Sequence, residues 1–176
     1  MNTEYMDIAP APGTNIQTGL LMAVLEDVTS EWRDELGEVS DEAILWQPFP
    51  GGHSIGALIL HMADVEAYWL HQIGAAQDRS QEELSRLLSE ETQQDQISWP
   101  TPPAHPLSWY YAQQDAIRAH TRELVMLMGE PEAQRTRQKG DQMQVFTHRW
   151  LLNHVISHEA YHGGQAALLS VMHSRH

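Results

Sequence analysis

Four stretches of this sequence carry seams of mostly apolar residues at steps of three and four, and that period constrains the fold more than any other feature. Ile16, Leu20, Leu21, Val24, Leu25, Val28, Trp32 and Leu36 make the first seam, stopped near Gly37. Ile55, Leu58, Met62, Val65 and Trp69 make the second, ending by Gly74. Tyr110, Gln113, Ile117, His120, Leu124 and Leu127 make the third, closed by Gly129 and Pro131. Leu151, Val155, His158, His162, Gln165, Leu169 and Met172 make the fourth. The spacings predict helices over about 15–36, 54–74, 107–128 and 146–172. Between them, "SDEAILWQPFPGGHS" reads as a short helical turn and a Pro-Gly loop, and "SQEE" from Ser80 is a capping box opening a short helix. "SWPTPPAHP" reads as a loop, and Glu130–Gln144 as a polar surface loop. No stretch shows the alternation of a strand, and no repeat is visible. Such seams can be buried only against one another, so the expected fold is all-α, a four-helix bundle. The connection before the third helix is long enough to cross the bundle.

At 176 residues the chain suits one domain, and 41% hydrophobic residues is a normal globular share. Ten Lys and Arg against 24 Asp and Glu give a net charge of −14. That surface repels phosphate backbones and anionic lipid heads, which argues against nucleic-acid and membrane partners. There is no cysteine, so any metal must be held by His, Asp or Glu. The acidic start "MNTEYMDIAPAPG" lacks a signal-peptide pattern, and the apolar runs are too short to span a bilayer, so a cytoplasmic location is expected.

"HEAYHGGQ", from His158 to Gln165, matches the H-E-x-x-H signature of zinc proteases. A protease needs a third ligand, normally well downstream, yet only 14 residues follow His162 and none is Asp or Glu. The metzincin extension would need Gly in place of Gln165 and His in place of Leu168. With no strand edge to align a peptide, the protease reading fails.

A metal site survives that test. Histidines at i and i+4 lie on one helix face, about 6 Å apart along the axis. His154, His158 and His162 form such a stripe, whose ends are about 12 Å apart and cannot share an ion with bonds of about 2.1 Å. Either His154 with His158, or His158 with His162, can chelate; the seam through Val155 and Leu169 sets the second pair inward. A third ligand must come from another helix, and His61 and His120 are the candidates. Glu159, beside a ligand but about 100° round the helix from it, is a candidate general base that can equally face a neighbouring helix. His53 lies where it can reach a cavity mouth. Trp46, Trp69, Trp109, Tyr110 and Tyr161 are candidate pocket residues, though such spacing is more common in a core. The glycines of "GGQ" cost roughly 1 kcal/mol each inside a helix, which points to close approach by another helix or by a ligand.

"SIGALILHMADVEAYW", followed about 100 residues later by "HRWLLNHVISHEAYHGGQ", resembles the DinB/YfiT-like family of metal-dependent proteins, as does the lead-in "LWQPFPGGHSIG". The resemblance covers roughly Ile16 to Met172. It implies a four-helix bundle of up-down-down-up topology, with residues 1–176 as one DinB-like domain behind a flexible lead-in over 1–13. It implies one divalent ion per chain, zinc or nickel, on His61, His158 and His162, and a homodimer. Relatives include thiol S-transferases using bacillithiol or mycothiol, a maleylpyruvate isomerase and proteins described as hydrolases. Where the family often has Arg before its Gly-Gln pair, this chain has Gly164, so a charge near the site is missing. The expected function is activation of a low-molecular-weight thiol, as co-substrate, or of water, for attack on a small electrophilic substrate. The alternative is a metal-stabilised binding or scaffold bundle without turnover.

Overall fold

The computed structural model describes residues 6–90 and 98–176. The first five residues of the expected lead-in, and the connection over 91–97, lie outside the described residues. The chain is mostly helical, with one small two-stranded sheet. Helix α1 spans Ile16–Leu36, α2 Asp41–Leu45, and α3 Ile55–Glu66, continuing as a wider π-helical segment over Ala67–Gly74. Helix α4 spans Gln81–Arg86, α5 Leu107–Leu127 and α6 His148–His173; strands β1 (Gln134–Lys139) and β2 (Gln142–Thr147) precede α6.

Side chains that satisfy the first free amides of a helix set several starts. Asn15 accepts from the Gln17 amide at 2.9 Å, Ser80 from Glu83 at 3.0 Å, and Thr147 from Trp150 at 3.3 Å. The Ser80 contact is one half of the capping box read from the sequence. Gly37 closes α1 at φ +61°, its amide donating to the carbonyl of Arg33.

Residue pairs across the interfaces fix the direction of each helix. Met22 and Leu25 share a buried cluster with Leu151 and Val155, and Trp32 meets Gly163, so α1 and α6 run parallel. Helix α3 runs antiparallel to α6: His61 faces His158 and His162, Trp69 faces His154, and Gly74 approaches Leu151. It runs parallel to α5, through Gly56 with Tyr110, Glu66 with Arg118 and His71 with Thr121. Helices α5 and α1 are antiparallel, through Asp115 with Arg33 and Arg122 with Glu26. No helix among the described residues is long and apolar enough to cross a membrane.

One expectation is corrected. Most of Glu130–Gln144 is not a loop: β1 pairs antiparallel with β2, from Gln134 opposite Thr147 to Lys139 opposite Gln142. The two-residue turn is Gly140-Asp141, with Gly140 at φ +57°, a hairpin connection that favours positive φ. The strands show no apolar alternation because little of the hairpin is buried; Met143 and Val145 are exposed, and only Phe146 is buried.

Candidate metal centre

His61, His158 and His162 come together. Each offers a ring nitrogen, and the three nitrogens lie within 4.8 Å of one another. Donors on one ion at about 2.1 Å stand no more than about 4.2 Å apart, so that spread is close to what a shared ion requires. Ring centroids are 4.8 Å apart for His61 and His158, 5.0 Å for His61 and His162, and 4.4 Å for His158 and His162. Two sit one turn apart on α6 and the third on the buried face of α3, which the antiparallel packing sets opposite them.

The protonation of the cluster suits a cation. Burial, with His162, His61 and His154 nearby, holds His158 far below its ordinary 6.5. Burial also lowers His162. Neutral imidazoles keep the lone pairs that ligation needs. Nδ1 of His162 stands 2.7 Å from Oε1 of Gln165. An amide oxygen only accepts, so Nδ1 carries the proton and Nε2 is left to the cluster. Nε2 of His158 is buried with no hydrogen-bond partner among the described residues. A buried orphan of this kind is costly unless something else occupies its lone pair. The donor set therefore fits a divalent ion.

Beside the cluster lies a cavity of about 390 Å³, lined by Pro48, Phe49, His53, Trp99, Gln165 and Leu168 among others. Trp99 joins it to the histidines, its ring 5.0 Å from that of His61 and 4.2 Å from that of His53. The Trp99 backbone is tied at both ends: its amide donates to Gly51 at 2.9 Å, and its carbonyl accepts from Gln47 at 3.2 Å. Among the described residues, no Asp, Glu, Lys or Arg lines this cavity.

Other candidates from the sequence fall elsewhere. His120 lies against His71 and bonds to Gln77 at 2.7 Å, away from the cluster. His154 stacks on Trp150, its centroid 6.4 Å from that of His158. His53 reaches the cavity wall. Trp46, Trp69, Trp109, Tyr110 and Tyr161 are not among its lining residues. Glu159 is buried and bonded to α1 and α5: Oε1 accepts from Thr29, Trp32 and Gln114, and Oε2 from Arg118 at 2.6 Å. Gly163 is explained by helix contact, since a Cβ there would stand 2.5 Å from Trp32, whereas Gly164 faces open space.

The sequence reading missed Trp99, whose position depends on a loop with no periodicity. It missed Arg118 as well, although Gln114, Arg118 and Thr121 form a polar stripe at steps of four and three, and all three are buried.

A comparison with protein families matches residues 20–170 to the family described as mycothiol-S-transferase. The chain belongs to that family. The mycothiol-S-transferase family is part of the DinB/YfiT-like metal-dependent superfamily, in agreement with the resemblance read from the two histidine segments. No curated protein matches the chain.

Proposed function

We propose that this chain is a metal-dependent S-transferase: it holds a divalent ion on His61, His158 and His162, and joins a low-molecular-weight thiol to a small electrophile. The three-histidine cluster, with the orphaned Nε2 of His158 and a cavity reached through Trp99 and Gln165, carries this reading. Family membership supports mycothiol as the thiol, and zinc or nickel as the ion is carried from the superfamily resemblance. The same reading takes the chain as one domain, its long helices as an up-down-down-up bundle and its assembly as a homodimer. The parallel and antiparallel helix pairs support the bundle.

A divalent ion held by three neutral ligands keeps its full charge and favours the thiolate form of a thiol near neutral pH. The protein's residues do the rest. Gln165 holds the ring of His162 in one tautomer, and Trp99 packs edge-on against the ring of His61. Phe49, Leu168 and Trp99 offer the electrophile apolar contact and exclude water. The described lining of this cavity holds no Asp, Glu, Lys or Arg, which suits an uncharged substrate. The cavity of about 290 Å³ between α1 and α5 is lined by Glu26, Arg33, Asp34 and Asp115, and by none of the histidines.

The test is to strip the protein, load it with zinc or nickel, and assay mycothiol with a generic electrophile. One ion should bind per chain. His61→Ala should abolish stoichiometric binding, while His120→Ala and His154→Ala should leave it intact. Conjugation should require the thiol and be lost in His158→Ala. Turnover that ignores the thiol but needs His158 would point to hydrolysis. Background rates with every substrate would point to a scaffold.

A further inference from the structure

The three histidines stand on two helices far apart in sequence, so the shape of the site depends on how α3 and α6 are held together. One side chain of a third helix bridges them. Arg118 of α5 donates Nε to Oε1 of Glu66 and Nη2 to its Oε2, each at 2.9 Å, and Nη2 also to Oε2 of Glu159 at 2.6 Å. Glu66 ends α3 five residues beyond His61, and Glu159 directly follows His158 on α6. Nη1 of Arg118 donates to Thr29 of α1 at 2.8 Å. Oε1 of Glu159 accepts from Thr29 at 2.6 Å, Trp32 at 3.0 Å and Gln114 at 3.0 Å. Glu66, Arg118 and Glu159 are at most 3% exposed. The network thus draws a residue from every long helix, and none of them lines the cavity beside the histidines.

We infer that Glu159 is a positioning residue: through Arg118 and Glu66 it sets the rotation and height of His158 and His162 against His61. Apolar seams let helices slide or turn slightly among arrangements of similar energy. A guanidinium bonded to two buried carboxylates does not, because its fork is rigid and each broken bond leaves a buried charge uncompensated. Metal bonds of about 2.1 Å tolerate little displacement of their donors. The bridge lies within about a turn and a half of every ligand, measured along its own helix. The candidate general base of the sequence analysis thereby becomes a group that acts through the ligand beside it. The inference rests on the proposed metal site.

Cobalt(II) is the probe. Metal-stripped wild type, Glu159→Gln and Ile117→Ala are titrated with it, affinity being read by chelator competition and coordination by the visible absorption bands. Melting of the metal-free proteins is followed by circular dichroism. Ile117 is buried in the core one residue before Arg118 and takes no part in the bridge, so truncating it lowers stability alone. Glu159→Gln should bind cobalt about tenfold more weakly, as when a group supporting a ligand is lost, and with shifted bands. Ile117→Ala should keep the wild-type affinity and bands despite a comparable drop in melting temperature. Arg118→Lys keeps the charge but loses the fork; it should shift the bands likewise and covers a Glu159→Gln that fails to fold. Wild-type affinity and bands in the network variants, or an equal loss in Ile117→Ala, would overturn the positioning role. A wild type that binds no cobalt, or cobalt binding that survives His158→Ala, would instead overturn the metal-site reading.

Discussion

At the scale of single residues, His162 meets the cluster with one ring nitrogen already committed to Gln165. That bond fixes the ring's tautomer and its rotation about χ2. Gln165→Ala should therefore weaken metal binding by roughly 10–100-fold, the usual effect of losing a group that orients a ligand, with little change in helix content. Competition with a chelator of known affinity measures it. His71 allows a prediction that is independent of metal. Burial lowers its pKa to about 4 from 6.5, and it bonds to Thr121 at 2.9 Å. Because the folded state disfavours the proton, the unfolded state binds more protons between those values, and stability rises with pH across that window. The contribution is complete above about pH 6.5 and lost as pH falls through about 4, on the order of 3 kcal/mol in all. Metal-free His71→Gln should show a flatter dependence of melting temperature on pH than metal-free wild type between pH 4 and 6.5, the limits set by those two values. Parallel curves would disprove the assignment.

At the scale of helices and strands, adjacent glycines on α6 should respond oppositely to the same change. A Cβ on Gly163 would stand 2.5 Å from Trp32, whose indole also donates to Glu159 at 3.0 Å. Gly163→Ala should destabilise by about 1–3 kcal/mol, as overpacking does, and disturb Glu159. A Cβ on Gly164 meets nothing within 4 Å, so Gly164→Ala should gain up to about 1 kcal/mol from helix propensity. Urea unfolding of the two variants checks both signs. The same physics explains what could be read in advance. The seams announced the long helices within a residue or two, because burying one apolar face forces the helical period on the sequence. His158 and His162 were legible as a chelating pair for that reason, although choosing His61 over His120 took the family resemblance. The hairpin left no such trace, since its strands are held by main-chain bonds and mostly exposed. Its one local signal was the Gly-Asp turn. Arg118 was overlooked because its partners come from other helices, a relation that no single period records.

At the scale of the whole molecule, the chain joins distant segments. Helix α1 pairs with α6, as in the bond between Thr29 and Glu159, 130 positions apart. The candidate site likewise needs α3 and α6 together. The net charge of −14 favours the approach of cations from solution. The tight turn at Gly140-Asp141 has a practical consequence, since it is where the chain passes from the first three long helices to the fourth. Cutting there would yield two pieces, one carrying His61 and the other His158 and His162. The smaller piece keeps the whole of β2 and α6, with the apolar faces that dock on the larger one. Mixed together, the pieces should reassemble, and a divalent ion bridging them should tighten the complex severalfold or more, by linkage. His61→Ala in the larger piece should remove the effect of the ion without preventing reassembly. Titrating one labelled piece with the other, with and without zinc, would turn this fold into a split reporter for metal.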